Sequence, residues 1–187
     1  MDLFGDLEPT HYPDGFAYAP ELITPEEEAA LASRFAALPF EPFRFRGVEA
    51  RRRVVNFGRL YDGQRGRLMD AEPIPEWLLP VRDRAAGLAG LPPHAIVHVL
   101  INEYRPGAPI GWHRDRPVFD QIIGVSMLSP ATMRFRRRVG GAFERRSVTL
   151  APRSAYVLTG PARDEWEHSL PEATAHRYSI TFRSLRR

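Results

Sequence analysis

The spacing of apolar positions along this chain changes character near residue 95. Upstream, in "ITPEEEAALASRFAALPF", Leu31, Phe35 and Leu38 form a stripe at helical spacing. Thr24 precedes it as an N-cap, Pro25 takes the first helical position, and Glu27 completes a Thr-x-x-Glu capping box. A second helix is predicted from near Pro75 through "EWLLPVRDRAAGLAG" to Gly90, with Pro80 tolerable only in its first turns. Downstream of about residue 95, the runs "HAIVHVLINEY", "DQIIGVSML", "TMRFRRR", "RRSVTLA", "SAYVLT" and "HRYSITFRSL" are short, rich in β-branched or aromatic residues, and separated by Pro and Gly turns. The pattern predicts an α+β, mainly β domain spanning 1–187. An irregular arm covers 1–20, N-terminal helices pack on one side, and a double-sheet fold such as a jelly roll occupies about 95–187.

Composition narrows the chemistry. At 187 residues with 43% hydrophobic and 26% charged positions, the chain matches one globular domain with a sizeable core. It has no cysteine, so any metal must be held by His, Asp, Glu or backbone oxygen. The start "MDLFGDLEPT" has neither a basic nor an apolar leader region, and no apolar run approaches the roughly 20 residues of a membrane span. The expectation is a cytoplasmic protein with no membrane association, acting as a monomer.

Charge is uneven. Residues 1–43 carry nine acids and only Arg34, which leaves 25 Arg against 14 acids, a surplus of 11, from residue 44 onward. Every basic residue is Arg and none is Lys. GC-rich coding produces such a bias, but the consequence stands: each cationic task falls to a guanidinium, which suits planar, two-pronged recognition of carboxylate and phosphate. A basic body also fits a nucleic-acid partner.

The stretch "GWHRDRP" introduces candidate metal chemistry. On an extended strand His113 and Asp115 share a face while Arg114 points away. A third ligand is available in His168 of "EWEHSLP", 53 residues after Asp115. Two His and one carboxylate form the facial triad of non-haem Fe(II) oxygenases, which leaves positions open for a co-substrate, water or O2. His98 reads as buried or lining rather than a ligand, and His11 sits in the arm. The same alternation turns Trp112 and Trp166 away from the metal, as packing residues.

In "HRYSITFRSL" a period of two separates Arg177, Ser179, Thr181 and Arg183 from Tyr178, Ile180 and Phe182. Six steps of strand span roughly 20 Å. Two arginines leaning inward from its ends would therefore clamp a small dicarboxylate, such as a 2-oxo acid chelating iron through its other end.

Taken together, "NEY", "HRD", the His168 before "SLP", and "RYSITFR" resemble the ordered motifs of the AlkB family of Fe(II)/2-oxoglutarate-dependent dioxygenases, over about Asn56 to Arg186. The resemblance implies a double-stranded β-helix with iron on His113, Asp115 and His168. It implies 2-oxoglutarate contacts from Asn102 and Tyr104, a grip on the distal carboxylate by Arg177, and Arg183 near the metal-bound carboxylate; Ser179 and Thr181 complete that strand, with Ser179 standing where the family usually has Asn. The implied reaction consumes 2-oxoglutarate and O2, releases succinate and CO2, and removes N-alkyl groups from nucleic-acid bases as an aldehyde.

For the substrate side, Tyr61 is placed where the family's substrate lid begins, and Arg59 and Arg114 are candidate contacts beside it. Arg51 to Arg53 form a basic run. Arg134, Arg136, Arg137, Arg138, Arg145 and Arg146 flank Gly140–Gly141 as a basic hairpin. Other outcomes stay open: the same iron core acting on a protein, lipid or small molecule, or a basic β-sandwich that binds nucleic acid without chemistry.

Overall fold

The computed structural model describes residues 12–45, 47–62 and 66–186; His11 and the rest of the arm before it lie outside them. Along the chain run β1 (Phe16–Ala19), α1 (Pro25–Ala36), β2 (Glu41–Phe45), β3 (Val48–Asp62), β4 (Arg67–Asp70) and α2 (Leu79–Leu88). Then follow β5 (Ile96–Tyr104), β6 (Ile110–His113), β7 (Phe119–Met127), β8 (Ala131–Val139), β9 (Ala142–Leu150), β10 (Ala155–Leu158), α3 (Gly160–Asp164), β11 (Glu167–Leu170) and β12 (Arg177–Leu185). The strands build a large sheet in the order β1-β10-β7-β12-β5-β3-β2, with β4 on β3, and a small sheet in the order β6-β11-β8-β9. Mainly β, with a jelly-roll arrangement of two sheets and helices on one side, this is the architecture the alternation predicts.

Local chemistry explains the helices. Thr24 Oγ1 accepts from the Glu27 amide at 3.2 Å and Glu27 Oε2 accepts from the Thr24 amide at 2.9 Å, so both halves of the capping box form. Pro80 lies in the first turn of α2, where it displaces no helical hydrogen bond, and Gly90 ends the segment at a φ of 66°. Gly140 and Gly141, with φ of 52° and 93°, give β8 and β9 the two-residue turn that matches strand twist.

The two faces of the large sheet do different work. Its outer face, with Val99, Ile101, Val125, Tyr178, Ile180 and Phe182, packs on Leu31 and Phe35 of α1 and on Val81 and Ala85 of α2. Between the sheets lies a second core that includes Tyr104, Phe119, Ile122, Met133, Phe135, Leu150 and Trp166. Registry sets the inward rows: Ser179 pairs with Asn102 and Ser126, Thr181 with Leu100 and Gly124, and Arg183 with His98 and Ile122.

Two expectations need correction. The arm is not irregular throughout, because Phe16–Ala19 pairs with β10 as an edge strand. Nor does the β core begin at about 95: β2 and β3 extend the large sheet, β3 pairing with β5 from Arg53↔Glu103 to Gly58↔His98. β3 escapes a hydrophobic alternation test because its inward face carries Arg52, which lines a polar cavity, and Asn56, which meets His98, while Arg51 and Arg53 occupy the other face.

Candidate metal centre

His113 and His168 come together because they are directly opposed across the antiparallel β6–β11 pair. Their ring centroids are 4.3 Å apart. β6 ends at His113, so Asp115 is delivered by the residues after the strand and not by strand alternation. His168 Nε2 stands 3.6 Å from Asp115 Oδ2, and one ligand atom from each of the three residues lies within 4.8 Å of the others. That spacing fits one ion bound from one side.

Two of the ligands are oriented by a neighbour. The Gly111 carbonyl, which can only accept, lies 2.9 Å from His113 Nδ1, so that nitrogen carries the proton and Nε2 keeps its lone pair for a metal. Asp115 Oδ1 accepts from Arg183 Nη2 at 2.6 Å and Nε at 3.0 Å, which leaves Oδ2 for the ion. Burial works to raise the Asp115 pKa, but the Arg183 guanidinium, then His168 and His113, hold the carboxyl well below the usual carboxylate range. Burial, then His113, pushes His168 down to about 3, and burial likewise lowers His113. All three are therefore in the form a divalent metal takes at neutral pH.

The loop carrying Asp115 is clamped by α3. Arg163, 4% exposed, donates from Nη2 to the Arg116 carbonyl at 2.6 Å and the Phe119 carbonyl at 2.9 Å, while Arg114 Nη1 donates to the Asp164 carbonyl at 3.1 Å. Arg163 carried no motif, and only the fold reveals its role.

One cavity joins the metal ligands to Asn102, Tyr104, Arg177, Ser179, Thr181 and Arg183. Asn102 Nδ2 and the Tyr104 hydroxyl each approach Ser179 Oγ at 3.4 Å. Arg177 Nη2 donates to Ser126 Oγ at 3.0 Å, whereas its Nε and Nη1 are buried without a partner among the described residues. Two unsatisfied guanidinium donors facing a cavity suit a carboxylate. The expectation of two inward arginines sharing one dicarboxylate changes here: Arg183 is already committed to Asp115, so Arg177 alone has donors to spare. Tyr156, which alternation alone did not single out, lies over Gly124 and lines the same cavity; burial, then Asp115, pushes its phenol up, so it stays protonated. Arg52 of β3 also lines the cavity.

The other predicted positions lie outside this lining. His98 is buried, sits 3.2 Å from Arg183 and 3.1 Å from Asn56, and stacks on Phe119, so of the buried and lining readings it is the buried one that holds. Tyr61 packs against the inter-sheet core with Arg116 5.3 Å above its ring, and Arg59 pairs with Asp70 at 3.7 Å. Trp166 is 2% exposed in the core, and Trp112 lies beneath Arg134 and Arg136. The basic hairpin forms, but Arg136 is held by Glu167 at 2.6 Å, Arg137 by Glu144 and Glu165 at 2.8 Å each, and Arg146 by Glu144 at 2.6 Å.

Comparison with known proteins agrees with this geometry. The model of the 2OG-Fe(II) oxygenase superfamily matches residues 15–183. Uncharacterized protein L905 of Acanthamoeba polyphaga mimivirus is 26% identical over 92% of this chain and 85% of its own length. The probable RNA/DNA demethylase ALKBH6 of Danio rerio is 32% identical over 57% of this chain and 43% of its own length. Among solved structures, OsALKBH1 superposes with a TM-score of 0.73 at 16% identity, over 92% of this chain and 97% of that one. A prolyl-4-hydroxylase of Pseudomonas putida superposes with 0.61 at 17% identity, over 92% and 93%. With the family model spanning most of the chain and the triad seated in its cavity, the chain belongs to the 2OG-Fe(II) oxygenase superfamily, whose members are iron- and 2-oxoglutarate-dependent dioxygenases that consume O2, and it is similar in sequence and fold to AlkB-type relatives.

Proposed function

We propose that this enzyme oxidatively dealkylates N-alkylated bases of nucleic acid. The observation that carries the reading is the 106-residue match to a probable RNA/DNA demethylase, 32% identical. In this reading His113, Asp115 and His168 hold the iron, and Arg177 takes the distal carboxylate of 2-oxoglutarate on its two unpartnered nitrogens. Asn102, Tyr104, Ser179 and Thr181 line the path between. Arg183 fixes Asp115 Oδ1 and keeps that carboxylate ionised in a buried site.

When bound, ferrous iron with its co-substrate supplies the oxidation of an otherwise inert C–H bond. That chemistry would convert 2-oxoglutarate and O2 to succinate and CO2 and would place the second oxygen atom on the N-alkyl carbon. The resulting N–C–OH unit breaks its C–N bond, giving an aldehyde and the restored N–H. The chain's own contribution is orientation: Arg163 and Arg114 hold the loop that presents Asp115, and the inter-sheet core around Phe135 and Trp166 shields His168 from water. Tyr61, Arg59 and Arg114, outside the cavity lining, would meet the strand that flanks the base.

A protein or small-molecule substrate is the second reading. It is favoured by the hairpin, whose arginines are largely occupied by Glu144, Glu165 and Glu167 and so are less available to phosphates. Formaldehyde release over a panel of methylated single- and double-stranded DNA and RNA decides between them. Release from at least one oligonucleotide, lost in His113→Ala, supports dealkylation. Succinate formation with protein extract but with none of the oligonucleotides would transfer the assignment to the second reading.

A further inference from the structure

Three guanidinium groups line the metal cavity among the described residues: Arg52, Arg177 and Arg183. Arg183 is paired with Asp115, and Arg177 answers the far carboxylate of the co-substrate. Arg52 has no such partner. Val54 pairs with Asn102 and Asn56 with Leu100, so strand alternation puts Arg52 on the same inward face, two residues before Val54. Its guanidinium carbon lies 3.9 Å over the ring of Phe43, which fixes where it can reach. Its Nε is buried without an acceptor, and among the described residues no carboxylate meets it. The neighbours differ: Arg51 donates to the Gly107 carbonyl, and Arg53 to Glu103 and the Phe40 carbonyl. A desolvated guanidinium without an acceptor is unfavourable, so its acceptor belongs to what fills the cavity.

Charge identifies that acceptor. In the loaded site Asp115 and 2-oxoglutarate bring three negative charges, while the ferrous ion, Arg177 and Arg183 bring four positive ones. Arg52, on the wall of the same cavity, adds a fifth positive charge and leaves the loaded site with a surplus of two. A substrate that is itself a cation is repelled there, and a neutral one carrying a carbonyl oxygen is attracted. N-alkylated bases divide along this line: N1-alkyladenine and N3-alkylcytosine are cations at neutral pH, whereas N3-alkylthymine and N3-alkyluracil are neutral, with carbonyls on both sides of the alkylated nitrogen.

We propose that Arg52 sets the base selectivity of this enzyme, donating to a carbonyl oxygen beside the alkylated nitrogen and favouring neutral N-alkylated imides over cationic N-alkylated bases. This rests on the nucleic-acid reading above. The test uses the iron-loaded enzyme with 2-oxoglutarate and O2, and single-stranded oligonucleotides of one sequence carrying either 3-methylthymine or 1-methyladenine. The ratio of kcat/KM for formaldehyde release is compared in wild type, Arg52→Gln and Arg52→Met, beside anaerobic 2-oxoglutarate titration of the visible Fe(II) band. Wild type is expected to prefer 3-methylthymine. Arg52→Met should lower the ratio by about tenfold or more, the scale of one charge-assisted hydrogen bond, and Arg52→Gln should recover part of it. An unchanged ratio in active Arg52→Met and Arg52→Gln, or a 2-oxoglutarate affinity that falls as far as turnover does, overturns the proposal and leaves the nucleic-acid reading standing. A wild type that binds 2-oxoglutarate yet releases formaldehyde from neither oligonucleotide nor from the wider panel removes both.

Discussion

At the scale of single residues, the two oxygens of Asp115 have separate duties. Oδ1 receives both nitrogens of Arg183, and Oδ2 faces His168. Asp115→Asn keeps the shape but removes the charge that binds the metal and satisfies Arg183. Fe(II) affinity, followed by anaerobic titration, should therefore collapse, and so should turnover. Arg183→Gln leaves all three ligands in place and removes only their support, so the expected loss is smaller, about 10- to 100-fold in iron affinity, as for other outer-shell partners of metal ligands. Wild-type affinity in the Arg183 variant would show that Asp115 needs no orienting cation. At Arg177, Lys preserves charge and loses the planar fork. Arg177→Lys should raise the KM for 2-oxoglutarate by about tenfold or more with a smaller change in kcat, measured as succinate formation. An unaltered KM would place the distal carboxylate elsewhere.

At the scale of elements, the inward rows of the large sheet depend on one missing side chain. A Cβ on Gly124 would sit 2.2 Å from the Tyr156 ring, a closeness no packed carbon adopts. Gly124→Ala must push Tyr156 off β7 and into the cavity it lines, an overpacking of about 1–3 kcal/mol. The variant should melt several degrees lower and bind 2-oxoglutarate less tightly. In a Tyr156→Ala background the added methyl should cost little, because the two changes share one contact. Equal effects in both backgrounds would place the strain elsewhere. These elements also show what the chain discloses before it folds. β12 was legible because Tyr178, Ile180 and Phe182 bury against the helices while Arg177 to Arg183 face a cavity, and that contrast survives as alternation. The triad was legible because its residue types are rare and chemically restrictive. β3 was not, since Arg52 and Asn56 interrupt one of its faces and Arg51 and Arg53 precede Val55 and Phe57 on the other, which leaves too short an apolar period to read. Arg163 and Arg52 were hidden for a related reason: in a chain of 26 arginines, only three-dimensional partners separate a clamp or a reader from a solvated charge.

At the scale of the whole molecule, stability and metal readiness are joined through buried imidazoles. Burial drives His98 and His168 down to about 3, while the unfolded chain protonates near 6.5. Between those limits the unfolded state binds more protons than the folded one, so stability rises with pH and falls as pH drops through 6.5 toward 3. Asp115 adds to the loss in the same direction at the acid end: its folded pKa is depressed, so its contribution is present above the ordinary carboxylate value and disappears as pH falls below it. Urea midpoints of the metal-free protein should therefore decline from pH 7.5 to 5, with a slope of two protons per molecule from His98 and His168 once the pH is well below 6.5 and a further contribution from His113, which burial also lowers. His98 touches Arg183 and Asn56 but is not a ligand, so His98→Gln should remove one of those protons while leaving the other to His168. Iron should act on the same equilibrium from the other side. It binds only the folded, deprotonated triad, so saturating Fe(II) should raise the midpoint at every pH in this range. A slope indifferent to His98→Gln would mean that this ring is charged in the folded protein, and the electrostatic shielding of Asp115 by Arg183 would then have to be redrawn.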